Sequence, residues 1–215
     1  MEPVFPQADP TTLPVVETFH SLQGEGLHSG RSAFFLRLAG CDVACPWCDT
    51  KHSWPVGTHP RVEVEVLARQ ARQARDQGAA FVVITGGEPL QHNLGPLCDT
   101  LADVAPLHLE TSGVHPLSGR FDWITLSPKR HAPPRAELLA SCQELKVVVT
   151  EEADLDFAET MAASAAGSSW NPRGPHLLLQ PEWNNPRGQV LAISHVRSHP
   201  AWRLSLQSHK WLGVR

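Results

Sequence analysis

The 215-residue chain has no run of about 18 apolar residues, the length a helix needs to cross a membrane, so no segment is expected to span one. Its opening stretch, MEPVFPQADPTTLP, holds neither a basic cluster nor an apolar run; a signal peptide is not expected, and a cytoplasmic protein is. Basic residues number 18 against 22 acids, a net charge of −4, and they form no runs. A nucleic-acid surface that works by counterion release is therefore not expected, and a small-molecule ligand is. Cysteines are few, five in all. An odd number pairs poorly and a reducing compartment disfavours structural disulfides, so thiols that lie close together are expected to serve metal or redox chemistry.

What the chain does contain is enough for one well-buried core. Hydrophobic residues make up 41% of it, and a single domain over residues 1–215 is the expectation. VVETFH (15–20) and SAFFLRLAG (32–40) read as a strand pair joined by the glycine-rich SLQGEGLHSG. Val66, Leu67, Ala71 and Ala74 then share one face at helical spacing, polar residues take the other, and Gly78 stops the segment, which predicts an amphipathic helix. Short apolar runs follow: FVVI (81–84), PLHL (106–109), WITL (123–126), LKVVV (145–149), HLLL (176–179) and RLSL (203–206). Between them GPLCDTLADV, PRAELLASC and EEADLDFAETMAAS are predicted helices, the last with Thr150 as N-cap, while AAGSSWNPRGP (165–175) reads as a surface loop. Strands apolar on both faces that alternate with helices form parallel sheets. About six such strands with a reduced helical complement are too few for a closed eight-stranded barrel, so the expected fold is α/β, a partial TIM-like barrel open on one side.

Polar signatures fall directly after these runs: TGGEP, ETSG, SPK, QPEW and QSHK. In parallel α/β folds the carboxyl ends of the strands face the ligand crevice, so these segments converge on one cavity. GCDVACPWCDTKH (40–52) places Cys41, Cys45 and Cys48 in the spacing C-x3-C-x2-C. Three thiolates on a short loop can hold three corners of a cubane iron–sulfur cluster and leave one iron open. The same loop with His52 would make a closed Cys3His zinc site, although structural zinc sites usually draw ligand pairs from two separated knuckles. Cys98 and Cys142 fall in apolar helical surroundings and read as inert buried thiols. The glycines of TGGEP and LQGEG either bring backbone close to a ligand or make simple turns. Arg37, inside an apolar strand, is a rim residue or a carboxylate clamp; Lys129 and Lys146 are equally ambiguous, with surface exposure the ordinary expectation for lysine.

On these residues the chain resembles the radical S-adenosylmethionine (radical SAM) superfamily and, within it, the 7-carboxy-7-deazaguanine synthases. ETFHSLQGEG, RLAGCDVACPWCDTKHSW, VVITGGEPL, ETSG, SPK, LQP and RLSLQSHKWLGVR carry the likeness along nearly the whole chain. The resemblance implies an open barrel of the radical SAM type, in which Cys41, Cys45 and Cys48 hold a 4Fe-4S cluster whose open iron is chelated by S-adenosylmethionine. It implies Trp47 beside the cluster and adenine, Gly87 and Glu88 at the methionine ammonium, and Ser127, Pro128 and Lys129 at the ribose and methionyl part. Gln180, Pro181, Glu182 and Trp183 would lie at the adenine side. The implied substrate is 6-carboxy-5,6,7,8-tetrahydropterin, which contracts its ring and loses ammonia to give 7-carboxy-7-deazaguanine in queuosine or another deazapurine pathway. Leu22, Gln23 and Gly24 would read the pterin edge, Arg37 would clamp its carboxylate, Thr85 would touch it, and Arg215 would present an α-carboxylate to its guanidine-like part. Thr50 matches a threonine that ligates Mg2+, which keeps few protein ligands, and Glu110 and His209 match positions expected to handle protons. A homodimer and a flavodoxin-like or ferredoxin-like reductant are the implied partners. QSHK, with serine where threonine is familiar, and QPEW, followed by the polar NNPRG in place of a regular helix start, depart from the pattern. A radical SAM activase and a zinc-stabilised binding module are the competing readings; LQGEG, Arg37 and Thr50 argue against the first.

Overall fold

The computed structural model describes residues 11–165 and 173–215, so most of the predicted loop at 165–175 lies outside the described residues. Strand β1 (Thr12–Leu22) folds back antiparallel on β2 (Ser32–Leu38), and β3 (Arg61–Glu63) pairs antiparallel with the start of β1 before the chain enters α1 (Val64–Asp76). Then follow β4 (Val82–Gly86), α2 (Gly95–Leu101), β5 (Leu107–Thr111), β6 (Trp123–Leu126), α3 (Ala136–Ser141), β7 (Glu144–Val149) and α4 (Glu152–Ala165). The chain continues through β8 (His176–Pro181), α5 (Pro186–Ser198), β9 (Trp202–Leu204) and α6 (Ser208–Leu212). The sheet runs β3-β1-β2-β4-β5-β6-β7-β8-β9 and does not close. Every pairing from β2 to β9 is parallel. The six apolar runs all overlap strands, and β2, foreseen only as half of a hairpin, is a further parallel strand because its other edge pairs with β4.

Side chains alternate across a strand, and here the alternation separates structure from chemistry. Leu36, Leu38, Ile84, Leu109, Leu126, Leu145, Val147 and Leu179 are all but inaccessible and pack with Leu67, Leu97, Leu101 and Leu138 of the helices in one continuous core. Each such leucine stabilises the fold by roughly 1.5–3 kcal/mol through burial alone. Alternate residues face the other side of the sheet. Near the strand starts this side holds rings: Phe81, just before β4, stacks on His108 (centroids 4.1 Å apart), His28 from the β1–β2 loop meets the edge of Trp123 at 4.4 Å, and Trp123 stacks on His176 at 5.9 Å.

That stack has a pH consequence. Burial, together with the charges of His28 and Arg31, pushes His108 down to about 3. The folded chain therefore keeps this imidazole neutral where the unfolded chain protonates it, and stability is complete above the ordinary histidine value of 6.5 and lost as pH falls toward 3. Between pH 7 and 4.5 the expected loss is about 2 kcal/mol. Denaturant midpoints should fall accordingly and His108→Phe should flatten the slope; equal slopes in both proteins would count against a neutral buried His108.

Two helix starts differ from the sequence expectation. Thr150 does not cap α4; its hydroxyl donates to Asp154 (2.6 Å), whose carboxylate also accepts the amides of Thr150 (2.9 Å) and Glu151 (3.1 Å). The acid inside the first turn reaches back to do the capping. NNPRG, read as a departure from a helix start, begins α5: Asn185 Oδ1 accepts from the Gly188 amide (2.9 Å) and Pro186 takes the first helical position, where its missing N–H is harmless.

Candidate active site

At the carboxyl ends of the strands the inward residues become polar. Phe35, Arg37, Thr85, Glu110, Thr125, Lys146, Val148 and Gln180 surround a cavity of about 550 Å3, into which the loops and α6 also project. Of the site residues predicted from the sequence, Pro128 alone does not line it; that proline is buried between Ser127 and Lys129, which do.

The cysteine loop forms one wall. Its ends are pinned by backbone hydrogen bonds, Gly40 N to Ser53 O (2.7 Å) and Cys41 N to Trp54 O (3.2 Å), and Ala44 takes a left-handed φ of 51° so that the chain turns between the first two thiols. Cys41, Cys45 and Cys48 are all free thiols that face the cavity. Burial pushes the Cys41 and Cys45 thiols up. The Thr50 hydroxyl lies 3.5 Å from Cys48 Sγ. His52 is exposed and does not line the cavity, and its backbone oxygen accepts from His59 (2.8 Å). Among the described residues the one trio of ligand atoms within 4.8 Å of one another lies elsewhere, so the cysteines are spread along the wall rather than gathered to a tetrahedral zinc point. A buried donor on the same wall, Trp54 Nε1, has no hydrogen-bond partner among the described residues. Spread thiols, which would ligate as thiolates, and an unsatisfied donor fit a bulky group with acceptor atoms, as a cubane cluster and its cofactor would be.

The TGGEP turn is pressed against this loop. A Cβ at Gly87 would come within 2.2 Å of the Gly40 carbonyl oxygen, and one at Gly86, where φ is +142°, within 2.1 Å of Leu38 O. The glycines thus allow close approach of protein backbone, β4 onto the end of β2, as well as an open face toward the cavity. Glu88 is almost fully buried, and its carboxylate accepts from Leu90 N (3.1 Å), Ser112 N (2.8 Å), Thr111 Oγ1 and Ser112 Oγ. Those four bonds use the whole acceptor capacity of a carboxylate and tie TGGEP to ETSG at the end of β5. Glu88→Gln should set an amide donor against the Ser112 donors, cost on the order of 1–3 kcal/mol and lower the melting temperature by several degrees. A melting temperature equal to wild type would refute this bonding. Beyond the turn, Lys129 Nζ donates to Ser127 O and Ser127 Oγ, both at 2.7 Å, and burial lowers its pKa.

The opposite wall is built from the first hairpin and the last helix. Gln23 donates to Glu110 Oε1 (2.9 Å) and Thr85 to Glu110 Oε2 (2.9 Å), so the carboxylate is held from both sides. Arg37 uses its Nε on Glu17 (3.0 Å), and the second Glu17 oxygen pairs with Arg215 (3.2 Å), whose backbone oxygen accepts from Ser21 (2.6 Å). Ser208 donates through N and Oγ to Gly24 O, both at 2.9 Å, which lays His209 directly over Gly24. Gln180 accepts from Ser205 (2.8 Å), and Trp183 meets Trp211 edge-on at 5.5 Å.

Sequence reasoning missed a buried ion pair here. Lys146 is only 5% exposed and pairs with Glu25, which also accepts from Gln207 (2.8 Å). Burial alone would raise the Glu25 carboxyl, but the Lys146 ammonium and hydrogen bonds from Lys146, Gln207 and Gln180 hold it at about 2. A clasp at the rim was missed too: Lys210 of α6 grips Asp49, next to Thr50, and stands over Trp183. The available signal was the alternation in ELKVVV, which puts Lys146 on the same inward face as Val148. Cys98 and Cys142, expected to be inert, are buried with thiols pushed up to about 11 and about 12 by burial.

Known proteins carry the same pattern. A family model for the radical SAM superfamily matches residues 36–130. The chain is 55% identical to the 7-carboxy-7-deazaguanine synthase of Prochlorococcus marinus over 95% of its length and 99% of the relative's, and 51% identical to that of Synechocystis sp. over 95% and 94%. The crystal structure of QueE from Escherichia coli superposes with a TM-score of 0.76 at 33% identity, covering 92% of this chain and 95% of that one. With the cysteine loop and the glycine turn facing one cavity in an open parallel sheet, and with identities this high over nearly the whole length, the chain belongs to the 7-carboxy-7-deazaguanine synthase family of radical SAM enzymes.

Proposed function

We propose that this chain converts 6-carboxy-5,6,7,8-tetrahydropterin into 7-carboxy-7-deazaguanine and ammonia, within queuosine or a related deazapurine pathway. The observation that supports this most is that the cysteine loop and the Gln23–Glu110–Thr85 network open onto the same cavity, as adjoining cofactor and substrate seats would require. When bound, the 4Fe-4S cluster and S-adenosylmethionine of this superfamily supply a 5′-deoxyadenosyl radical, which side chains cannot. Cys41, Cys45 and Cys48 would hold the cluster, with Trp47 beside it. The Gly87–Glu88 turn would seat the methionyl end of the cofactor, Glu88 acting chiefly by fixing that turn. Ser127 and Lys129 would meet ribose and carboxylate, Pro128 would set the bend between them, and Gln180, Pro181, Glu182 and Trp183 would border the adenine.

On the substrate side, Arg37 offers a guanidinium fork to the pterin carboxylate, and Leu22, Gln23, Gly24, Thr85 and Arg215 border the ring. Glu110, fixed by two donors, and His209, laid on Gly24, are the groups placed to move protons during ring contraction. Thr50 would give an oxygen to Mg2+, which completes its shell with water and substrate oxygens. A homodimer, a flavodoxin-like or ferredoxin-like reductant and a cytoplasmic setting complete the reading. Among the described residues no helix is long and apolar enough to cross a membrane.

Anaerobic turnover of 6-carboxytetrahydropterin with product identification tests the whole. Formation of the deazapurine is expected; cofactor cleavage without it would point to an activase, and one zinc per chain without iron to a binding module. Thr50→Ala should lower turnover by weakening the response to Mg2+, and an unchanged Mg2+ titration would remove that assignment.

A further inference from the structure

Away from the cavity, Glu159 on α4, His195 on α5 and His199, the residue that ends α5, bring a carboxylate oxygen and two imidazole nitrogens within 4.8 Å of one another. The histidines are one helical turn apart and share a face; their rings stack with centroids 3.9 Å apart and 6° between planes. The bonds around them resemble those that orient metal-ligating groups. His199 Nδ1 lies 3.0 Å from both the His195 carbonyl and Ser198 Oγ; a neutral ring that donates to the carbonyl keeps its Nε2 lone pair for a metal, and Glu159 Oε1 is fixed by a donor bond from Trp202 Nε1 (2.8 Å). His195 Nε2 lies 2.7 Å from the same oxygen, and a bound cation would replace the proton they share. None of the three lines the cavity, and His199 lies just before the start of β9, at the end of the sheet remote from the chemistry.

We propose that this trio is a second metal site, taking a divalent ion of the zinc class through two imidazoles and one carboxylate, with a further position open to water, and that it clamps α4 to α5. Two nitrogens and one oxygen suit zinc, nickel or copper and not magnesium or calcium, which take oxygen ligands. Holoenzyme reconstituted anaerobically, stripped of loose metal with a chelator and titrated with Zn2+ by calorimetry should take up a single equivalent without losing iron. His199→Gln and Glu159→Gln should each weaken that uptake by about tenfold or more and lose the rise in melting temperature that zinc gives the parent, while turning over substrate normally. Co2+ should show the absorption bands of tetrahedral coordination in the parent and not in the variants. A chain with Cys41, Cys45 and Cys48 all changed to serine should still bind the zinc equivalent, which separates this site from the cysteine loop. No uptake by the parent, or equal uptake by both variants, would overturn the proposal and leave a hydrogen-bonded histidine–glutamate pair.

Discussion

Replacing Lys146 with methionine should lower the melting temperature by roughly 10 °C. The ammonium is 5% exposed and faces not only Glu25 but also the charges of Glu110 and Glu144. Burial by itself would drive the Lys146 pKa down, yet these three carboxylates raise it, so the group is charged at every working pH. Methionine keeps the volume and removes the charge, stranding Glu25 beside two other acids. Breaking a buried pair in this way costs about 3–5 kcal/mol, and in a chain of this size each kcal/mol is worth about 2–4 °C. Adding Glu25→Gln should recover most of the loss, a coupling that a double-mutant cycle reads directly. Acid titration gives a second reading. Glu25 in the parent is held at about 2 against an ordinary 4.5, so the stability it contributes is complete above 4.5 and is lost as pH falls toward 2. Without Lys146, burial should raise Glu25 instead, and mild acid should stabilise the variant. A variant that melts and titrates like the parent would show the pair to be a bystander.

If His209 moves protons as proposed, Gly24→Ala should reduce kcat by on the order of a hundredfold, the scale of loss when a reacting group is displaced by about 1 Å, while iron content and cofactor binding stay as they are. A methyl at Gly24 would come 2.1 Å from Nδ1 of His209, 2.6 Å from its Cγ and 2.7 Å from its Cβ, so the whole residue has to move and not merely the ring tip. Moving it also strains the two hydrogen bonds from Ser208 to the Gly24 carbonyl. If the glycine acts through the histidine, Gly24→Ala with His209→Ala should be no slower than His209→Ala alone. Additive losses would place the role of the glycine elsewhere.

Much of this was legible in the linear sequence, because apolar runs followed by polar signatures record a parallel sheet with its cavity at one end. The C-x3-C-x2-C loop and TGGEP point to the same wall, and the structure places them in contact through Gly87 and Gly40. Partnerships between distant residues were not legible. Lys146 and Glu25 are 121 positions apart, and a lone lysine in a strand is ordinarily a surface residue. Glu88 reads as a ligand-facing acid until Thr111 and Ser112, at the end of another strand, are seen to fill its acceptors. Asn185 and Pro186 did carry a local helix-start signal, obscured by the loop-like composition around them.

The hydrogen bonds that join the first hairpin to the residues from Ser208 onward can form only late in synthesis. Ser208 reaches Gly24 across 184 positions, and Ser21 reaches Arg215 across 194. The cysteine loop, TGGEP and SPK fall within residues 36–130 and QPEW ends at Trp183, so the parts that would carry the cofactor are in hand before α6 emerges. Closing so long a loop is slow and entropically costly. A nascent chain can therefore shape the cofactor wall first, with the substrate wall open until the residues of α6 arrive to cover Gly24.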